Sequence, residues 1–258
     1  MSVPGAILWD VDGTLAETER DGHRVAFNLA FEKAGLPWRW GVDRYGELLH
    51  VAGGRERLVA DLKVQPEAPA ESGEREALAT EVHRLKNEYY GELVRGGNIP
   101  LRAGVTELFD ECEANGVAMG ITTTTSRSNL DALLTTHLGR HWRQRFSAIV
   151  NGEDVARKKP DPEVYAQAVA ILGIPAADAV AIEDSPDGVA AARRAGVPVM
   201  VARSSYFSDV TIDGAIAIGP GLDRRDGWVP EAVGDGGRVT LESIAHWREQ
   251  SRDVSSPG

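Results

Sequence analysis

The sequence predicts an α/β protein: a mainly parallel sheet with an all-helical insertion after the first strand. An apolar run, Ala6-Ile7-Leu8-Trp9, leads into Asp10-Val11-Asp12-Gly13-Thr14 and reads as a buried strand with its exit turn. Residues 16 to about 95 then lack such runs and carry helical patterns. From Pro100 onward, short apolar runs alternate with helical stretches, the pattern of right-handed crossovers between parallel strands.

Within the insertion, Phe27, Ala30, Phe31 and Ala34 share one helical face before Gly35, and Pro37 follows, as after many helix ends. Helices are predicted near 41–50 and 53–63, the second entered through Gly53-Gly54. Gln65 to Gly73 reads as an exposed loop, and a long helix over about 74–94 ends at Gly96-Gly97. The alternating part begins with a helix over 103–115 closed by Gly116, then a strand from Val117 to Ile121, a threonine run and a helix over 127–138. Ser147 to Val150 is a third strand. Asp161 reads as a helix N-cap with Pro162 at the first helical position and Gly173 as the stop; Ser185-Pro186 and Gly196 repeat that punctuation. Between these helices, Ala179 to Ile182 forms a strand running into Glu183-Asp184. Val197 to Ala202 and Ala215 to Ile218 supply the last two strands. Residues 1–15 and 97–250 are thus read as the core, 16–96 as the helical insertion and 251–258 as a flexible tail.

Composition narrows the function. Lys and Arg total 28 against 39 Asp and Glu, a net charge of −11, so the basic footprint of a nucleic-acid binder is missing. A phosphorylated small molecule remains compatible, because local cations and a metal set the field in a cleft. The single cysteine, Cys112, lies at helical spacing from Val105, Leu108 and Phe109 and reads as core packing in a reducing compartment. No apolar run approaches the roughly 18 residues of a membrane span. No secretory leader is evident, and the expectation is a soluble, cytoplasmic monomer.

The chemistry sits at strand ends. Asp10 and Asp12 follow strand one, where the ligand crevice of an α/β sheet opens. Two close carboxylates repel, and a divalent cation would relieve them; carboxylate oxygen suits Mg2+. A threonine cluster follows strand two, Lys158-Lys159-Pro160 follows strand three and Glu183-Asp184 follow strand four. Each group alone is common in solvated loops; their joint occurrence at successive strand ends is not.

These four groups resemble the motifs of the haloacid dehalogenase-like (HAD) hydrolases: Asp10-Val11-Asp12-Gly13-Thr14, Thr123 within the threonine run, Lys159-Pro160-Asp161-Pro162, and Glu183-Asp184-Ser185-Pro186-Asp187-Gly188. Thr124 is the alternative for the second motif. The resemblance covers nearly the whole chain, and the insertion resembles the family's C1 cap on a Rossmann-like core. It implies that Asp10 attacks phosphorus to form an aspartyl-phosphate and that Asp12 acts as general acid and then base. It also implies Mg2+ held by Asp10, the Asp12 backbone carbonyl and Asp184, with Glu183 a direct ligand or one step removed. Thr123 and Lys159 would hold the phosphoryl oxygens.

Within the superfamily, Leu15 to Glu19, His23, Gly53-Gly54-Arg55-Glu56-Arg57, Lys86-Asn87 and the Thr122–Ser126 run with Asn129 are similar to the CbbY-type sugar-phosphate phosphatases and their β-phosphoglucomutase-like relatives. That group hydrolyses xylulose 1,5-bisphosphate, an inhibitor of Rubisco in the Calvin cycle. A bisphosphate needs a second anion site. Arg55, Lys86 and Arg127 are the candidates, Arg55 first for its bidentate fork; Glu17 and His23 are candidates for the sugar hydroxyls, and Gly54 and Thr124 are further substrate-binding candidates. Arg55, Arg57 and Lys86 read equally as a solvated helix face. A phosphomutase on the same core is the rival enzyme, and a sugar-phosphate-binding regulator is the rival outside catalysis; the complete acidic set argues against the latter.

Overall fold

The computed structural model describes residues 2–254. Among the described residues, six strands form one fully parallel sheet in the order β3-β2-β1-β4-β5-β6. They are β1 (Ala6–Trp9), β2 (Ala118–Thr122), β3 (Ala148–Val150), β4 (Ala179–Glu183), β5 (Val199–Ala202) and β6 (Ala217–Gly219). The chain winds outward from β1 to one edge and then returns to β4 to build the other. The crevice between the carboxyl ends of β1 and β4 is therefore the topological switch point.

Alternation along β1 builds two cores. Ile7 and Trp9 face a cluster with Met119, Ile121, Val180 and Ile182, while Ala6 and Leu8 face one with Ala179, Ala181, Val164 and Val189. The first face is covered by α5 (Val105–Ala114), α6 (Arg127–Leu138) and α9 (Leu241–Val254), the second by α7 (Glu163–Leu172) and α8 (Pro186–Arg194). Four helices lie between β1 and α5: α1 (Arg24–Lys33), α2 (Val42–Leu48), α3 (Gly54–Leu62) and α4 (Ser72–Arg95). They enclose a third cluster of Phe27, Ala30, Phe31, Trp40, Tyr45, Leu58 and Val82. The 24-residue α4 joins both bodies: Ala79 and Val82 belong to this cluster, whereas Tyr90 and Val94 pack in the first sheet core.

Most boundaries follow the sequence pattern. α6 matches its expected range, and Gly35, Gly116, Gly173 and Gly196 all adopt the positive φ of a helix stop. Ser185 caps α8 by accepting from the Gly188 amide at 3.1 Å, with Pro186 at the first position. Two expectations are corrected. The residue before α7 is Pro162, not Asp161; Asp161 Oδ1 still accepts from the Glu163 amide at 3.1 Å. The tail does not begin at 251, because α9 continues to Val254; the remaining expected tail, 255–258, lies outside the described residues. A short π-helical turn over Glu19–His23, unforeseen in the sequence, opens α1. No helix among the described residues is long and apolar enough to cross a membrane.

Candidate active site

The site forms where β1 and β4 end. Asp10 follows the last residue of β1, and its amide donates to the Ile182 carbonyl at 3.0 Å, so the two strands register it beside Glu183 and Asp184. Gly13, at φ +86°, turns the chain so tightly that a Cβ there would stand 2.0 Å from Asp184 Oδ2. The absence of a side chain is what lets the Asp184 carboxylate lie over the β1 exit. Arg102 secures the same turn: its guanidinium donates to the carbonyls of Gly13, Ala202 (3.0 Å) and Arg203 (2.6 Å).

Lys159 is the hub. Its ammonium donates to Asp10 Oδ1 and Glu183 Oε1, both at 2.6 Å, and to the Thr122 carbonyl at 2.9 Å. Tyr165, from α7, donates its hydroxyl to Glu183 Oε1 at 2.5 Å. Glu183 Oε2 accepts from the Asp184 amide at 3.3 Å and the Ser185 hydroxyl at 3.4 Å. Both Glu183 oxygens are thus engaged within the protein. Burial and then the Glu183 charge push the Asp10 carboxyl up to about 7, against the pull of Lys159. Burial, with Asp10 and Glu183, drives Asp184 well above the usual carboxylate range. Burial also works against the Lys159 charge, yet Asp10 and Glu183 hold the ammonium well above the ordinary lysine range. Lys159 pairs with two of three buried carboxylates, Asp10, Glu183 and Asp184, whose ligand atoms lie within 4.8 Å of one another; the third, Asp184, feels the Arg102 charge. Such an excess of negative charge fits a divalent cation with hard oxygen ligands.

Asp12 stands apart from that cluster. Its Oδ1 accepts from Thr18 Oγ1 at 2.6 Å and lies 3.0 Å from His23 Nε2. Burial works to raise this carboxyl, but His23, Thr18 and the Lys86 charge hold it down at about 2. His23 is stacked on Tyr90, with ring centroids 4.3 Å apart, and so is fixed between the helical insertion and the sheet.

Two adjoining cavities open above these groups. One, of about 310 Å³, is bordered by Asp10, Asp12, Lys159, Asp184 and, from the insertion, Leu49 and Ala52. The other, of about 200 Å³, is bordered by His23, Gly54, Arg55, His83, Lys86 and Lys158. Thr124 and Arg57 line both. Lys86 is buried against the faces of Phe27 and Tyr90, and burial lowers its ammonium to about 8 despite Asp12 and Glu19. Arg55 is paired with Glu76 at the rim.

The remaining sequence candidates lie elsewhere. Glu17 turns to the loop after β5, accepting from the Ser205 amide at 3.2 Å and lying 3.8 Å from Arg102. Arg127 is exposed and bonds Asp154 at 2.8 Å, outside both cavities. Thr123 is buried beside Thr122, and its hydroxyl accepts from the Thr125 amide at 3.1 Å. Sequence reasoning did not single out Tyr165 or Arg102. Tyr165 carried a signal, a phenol on the apolar face shared with Val164 and Ala168. Arg102 carried none, because the carbonyls it holds, those of Gly13, Ala202 and Arg203, are 89 and more residues away.

The family model for haloacid dehalogenase-like hydrolases matches residues 4–196. The chain belongs to that hydrolase family. It is 42% identical over 229 residues to the plasmid-borne protein CbbY of Cupriavidus necator, covering 88% of this chain and 89% of that one. The solved structure of CbbY from Rhodobacter sphaeroides in complex with xylulose-(1,5)bisphosphate superposes with a TM-score of 0.80 at 36% identity, over 87% of this chain and 97% of that one. A β-phosphoglucomutase from Clostridium difficile shares the fold, with a TM-score of 0.70 at 18% identity over 97% and 99% of the two chains. Within that family the chain is a phosphatase similar in sequence and structure to the CbbY proteins.

Proposed function

We propose that this phosphatase is Mg2+-dependent and hydrolyses a phosphorylated sugar, with xylulose 1,5-bisphosphate as its substrate. The observation that carries the reading is Lys159 bridging Asp10 and Glu183 at the floor of a cavity that Asp12 and Asp184 also face. Residues 1–15 and 97–250 act as the catalytic core and 16–96 as the cap.

Asp10 and Asp184 are the side chains that would hold Mg2+, with the Asp12 backbone carbonyl; Glu183 holds Lys159 instead, since its oxygens are already engaged. When bound, the cation offsets negative charge on Asp10 and the phosphoryl oxygens. Asp10 attacks phosphorus, and the bond to the sugar oxygen breaks. Lys159 keeps Asp10 aimed and shields its charge from the anion it attacks. Thr123, or Thr124 at the cavity wall, holds a phosphoryl oxygen. Asp12 gives its proton to the leaving oxygen, then takes one from the water that splits the aspartyl-phosphate. In the arrangement seen here Asp12 is a carboxylate held by His23 and Thr18. Turning from them toward the dianionic phosphate would raise its proton affinity, so that it takes up a proton from solvent and can then donate it to the leaving oxygen.

The second phosphate would sit in the smaller cavity, which Arg55 and Lys86 both line beside the amide end of α3 at Gly54. The substrate's hydroxyls would meet His23. Arg127 and Glu17 would reach it only by leaving Asp154 and Ser205.

The test is phosphate release, with and without Mg2+, from a panel of sugar mono- and bisphosphates that includes xylulose 1,5-bisphosphate and ribulose 1,5-bisphosphate. Strong Mg2+-dependent release from the xylulose compound and little from the ribulose one is expected. Isomer interconversion without net release would replace the reading with a phosphomutase.

A further inference from the structure

Lys158 and Lys159 are neighbours in sequence, yet they serve different bodies of the protein. Lys159 reaches inward to Asp10 and Glu183. Lys158 turns the other way and donates to Glu56 Oε1 at 2.6 Å, across 102 positions of chain. Glu56 stands in the first turn of α3, where the helix dipole favours a carboxylate. Burial works to raise the Glu56 carboxyl, and the Lys158 hydrogen bond with the local backbone holds it below its ordinary value.

The pair is seated on Gly53. A Cβ there would lie 2.2 Å from Glu56 Oε2 and 2.4 Å from Lys158 Nζ, and the φ of +93° also calls for glycine. Gly53, Glu56 and Lys158 all line the smaller cavity, the one bordered by Arg55 and Lys86. The pair therefore closes one flank of that cavity and joins the helical insertion to the segment that carries the phosphate-site lysine.

We infer that Lys158 is a positioning residue: through Glu56 it clasps the helical insertion onto the Lys159 loop, so that closure over a bound sugar phosphate and the placement of Lys159 occur together. The clasp acts on commitment, because a substrate held under the closed insertion reacts before it escapes. The inference rests on the proposed phosphatase reading, but its structural half is independent of the substrate. The pair is partly exposed, so its effect is modest and weakened by salt.

The experiment uses the full chain with Lys158→Met, Glu56→Gln, the exchanged pair Lys158→Glu with Glu56→Lys, and Arg157→Met as a control from the same loop. Arg157 is well exposed and bonds Asp161, so its loss leaves the clasp intact. Amide hydrogen exchange over residues 53–57 and the KM for the best substrate of the panel, at low and high salt, are read together. The expected result is faster exchange at 53–57 and a KM raised about two- to fivefold in both single variants, with smaller salt dependence than the wild type. The exchanged pair should recover at least part of both, while Arg157→Met matches the wild type. Wild-type exchange and KM in Lys158→Met and Glu56→Gln, or losses in the exchanged pair equal to the sum of the single losses, would overturn the clasp. Faster exchange in a protein that releases phosphate from no sugar phosphate would uphold the clasp and reject the phosphatase reading instead.

Discussion

Lys159 and Glu183 meet at 2.6 Å in a place where Glu183 has no exposed surface, and the same ammonium holds Asp10. Removing the cation strands two buried carboxylates, which is costlier than losing a surface pair. Lys159→Met should destabilise the fold by about 3 kcal/mol, a fall in Tm of roughly 6–12 °C for a chain of this size. Mg2+ should restore part of the loss, because binding to the native acidic cluster stabilises it. Thermal unfolding with and without Mg2+ checks this; a variant as stable as the wild type would contradict the hub role.

Gly13 tests the metal site by shape. Its φ of +86° and the 2.0 Å separation between a would-be Cβ and Asp184 Oδ2 leave no place for a methyl group. Gly13→Ala should cost about 1–3 kcal/mol in backbone strain and displace the Asp184 carboxylate. Calorimetric titration should then find Mg2+ bound far more weakly, with phosphate release falling in step.

Asp12 is separated from the metal cluster by its bonds to Thr18 and His23, as a proton carrier needs to be. Asp12→Ala should lower kcat by roughly 10²–10⁴-fold, the range of general acid–base catalysis, while Mg2+ still binds. Loss of Mg2+ binding in that variant would move Asp12 into the ligand set through its side chain.

The Lys86 ammonium sets a pH limit. Burial lowers it to about 8; Asp12 and Glu19 oppose the shift, Arg57 adds to it, and His83 lines the same cavity. Its charge is present below that pH and is lost as pH rises through it. If Lys86 receives a phosphate, kcat/KM should fall above about pH 8 and level off, and Lys86→Met should lower the plateau and remove the step. The sign for folding is opposite: the unfolded chain binds more protons between about 8 and the ordinary lysine value of 10.5, so this group's contribution to stability rises with pH across that window.

How much of this was legible in the sequence follows from physics. The central strands β1, β4 and β5 were visible because each is buried on both faces and so is apolar, as Ala179–Glu183 shows up to its final carboxylate. The acidic cluster was visible because its members stand at strand ends, where apolar runs stop. Direction was not visible. Glu17 and Arg127 occupy positions that suit a substrate, but Ser205 and Asp154, far along the chain, claim their side chains. The helix α9 went unread because its charged face obscured Ile244 and Trp247, which pack beneath Trp228 and the sheet core.

The central claim is that Asp10 is the nucleophile. The most direct measurement is phosphate release by Asp10→Asn beside calorimetric binding of the same sugar phosphate. The account predicts a folded variant that still binds the sugar phosphate and releases phosphate at a rate lower by roughly 10⁴-fold or more, as when other covalent nucleophiles are removed. Turnover near the wild-type rate in that variant would contradict it.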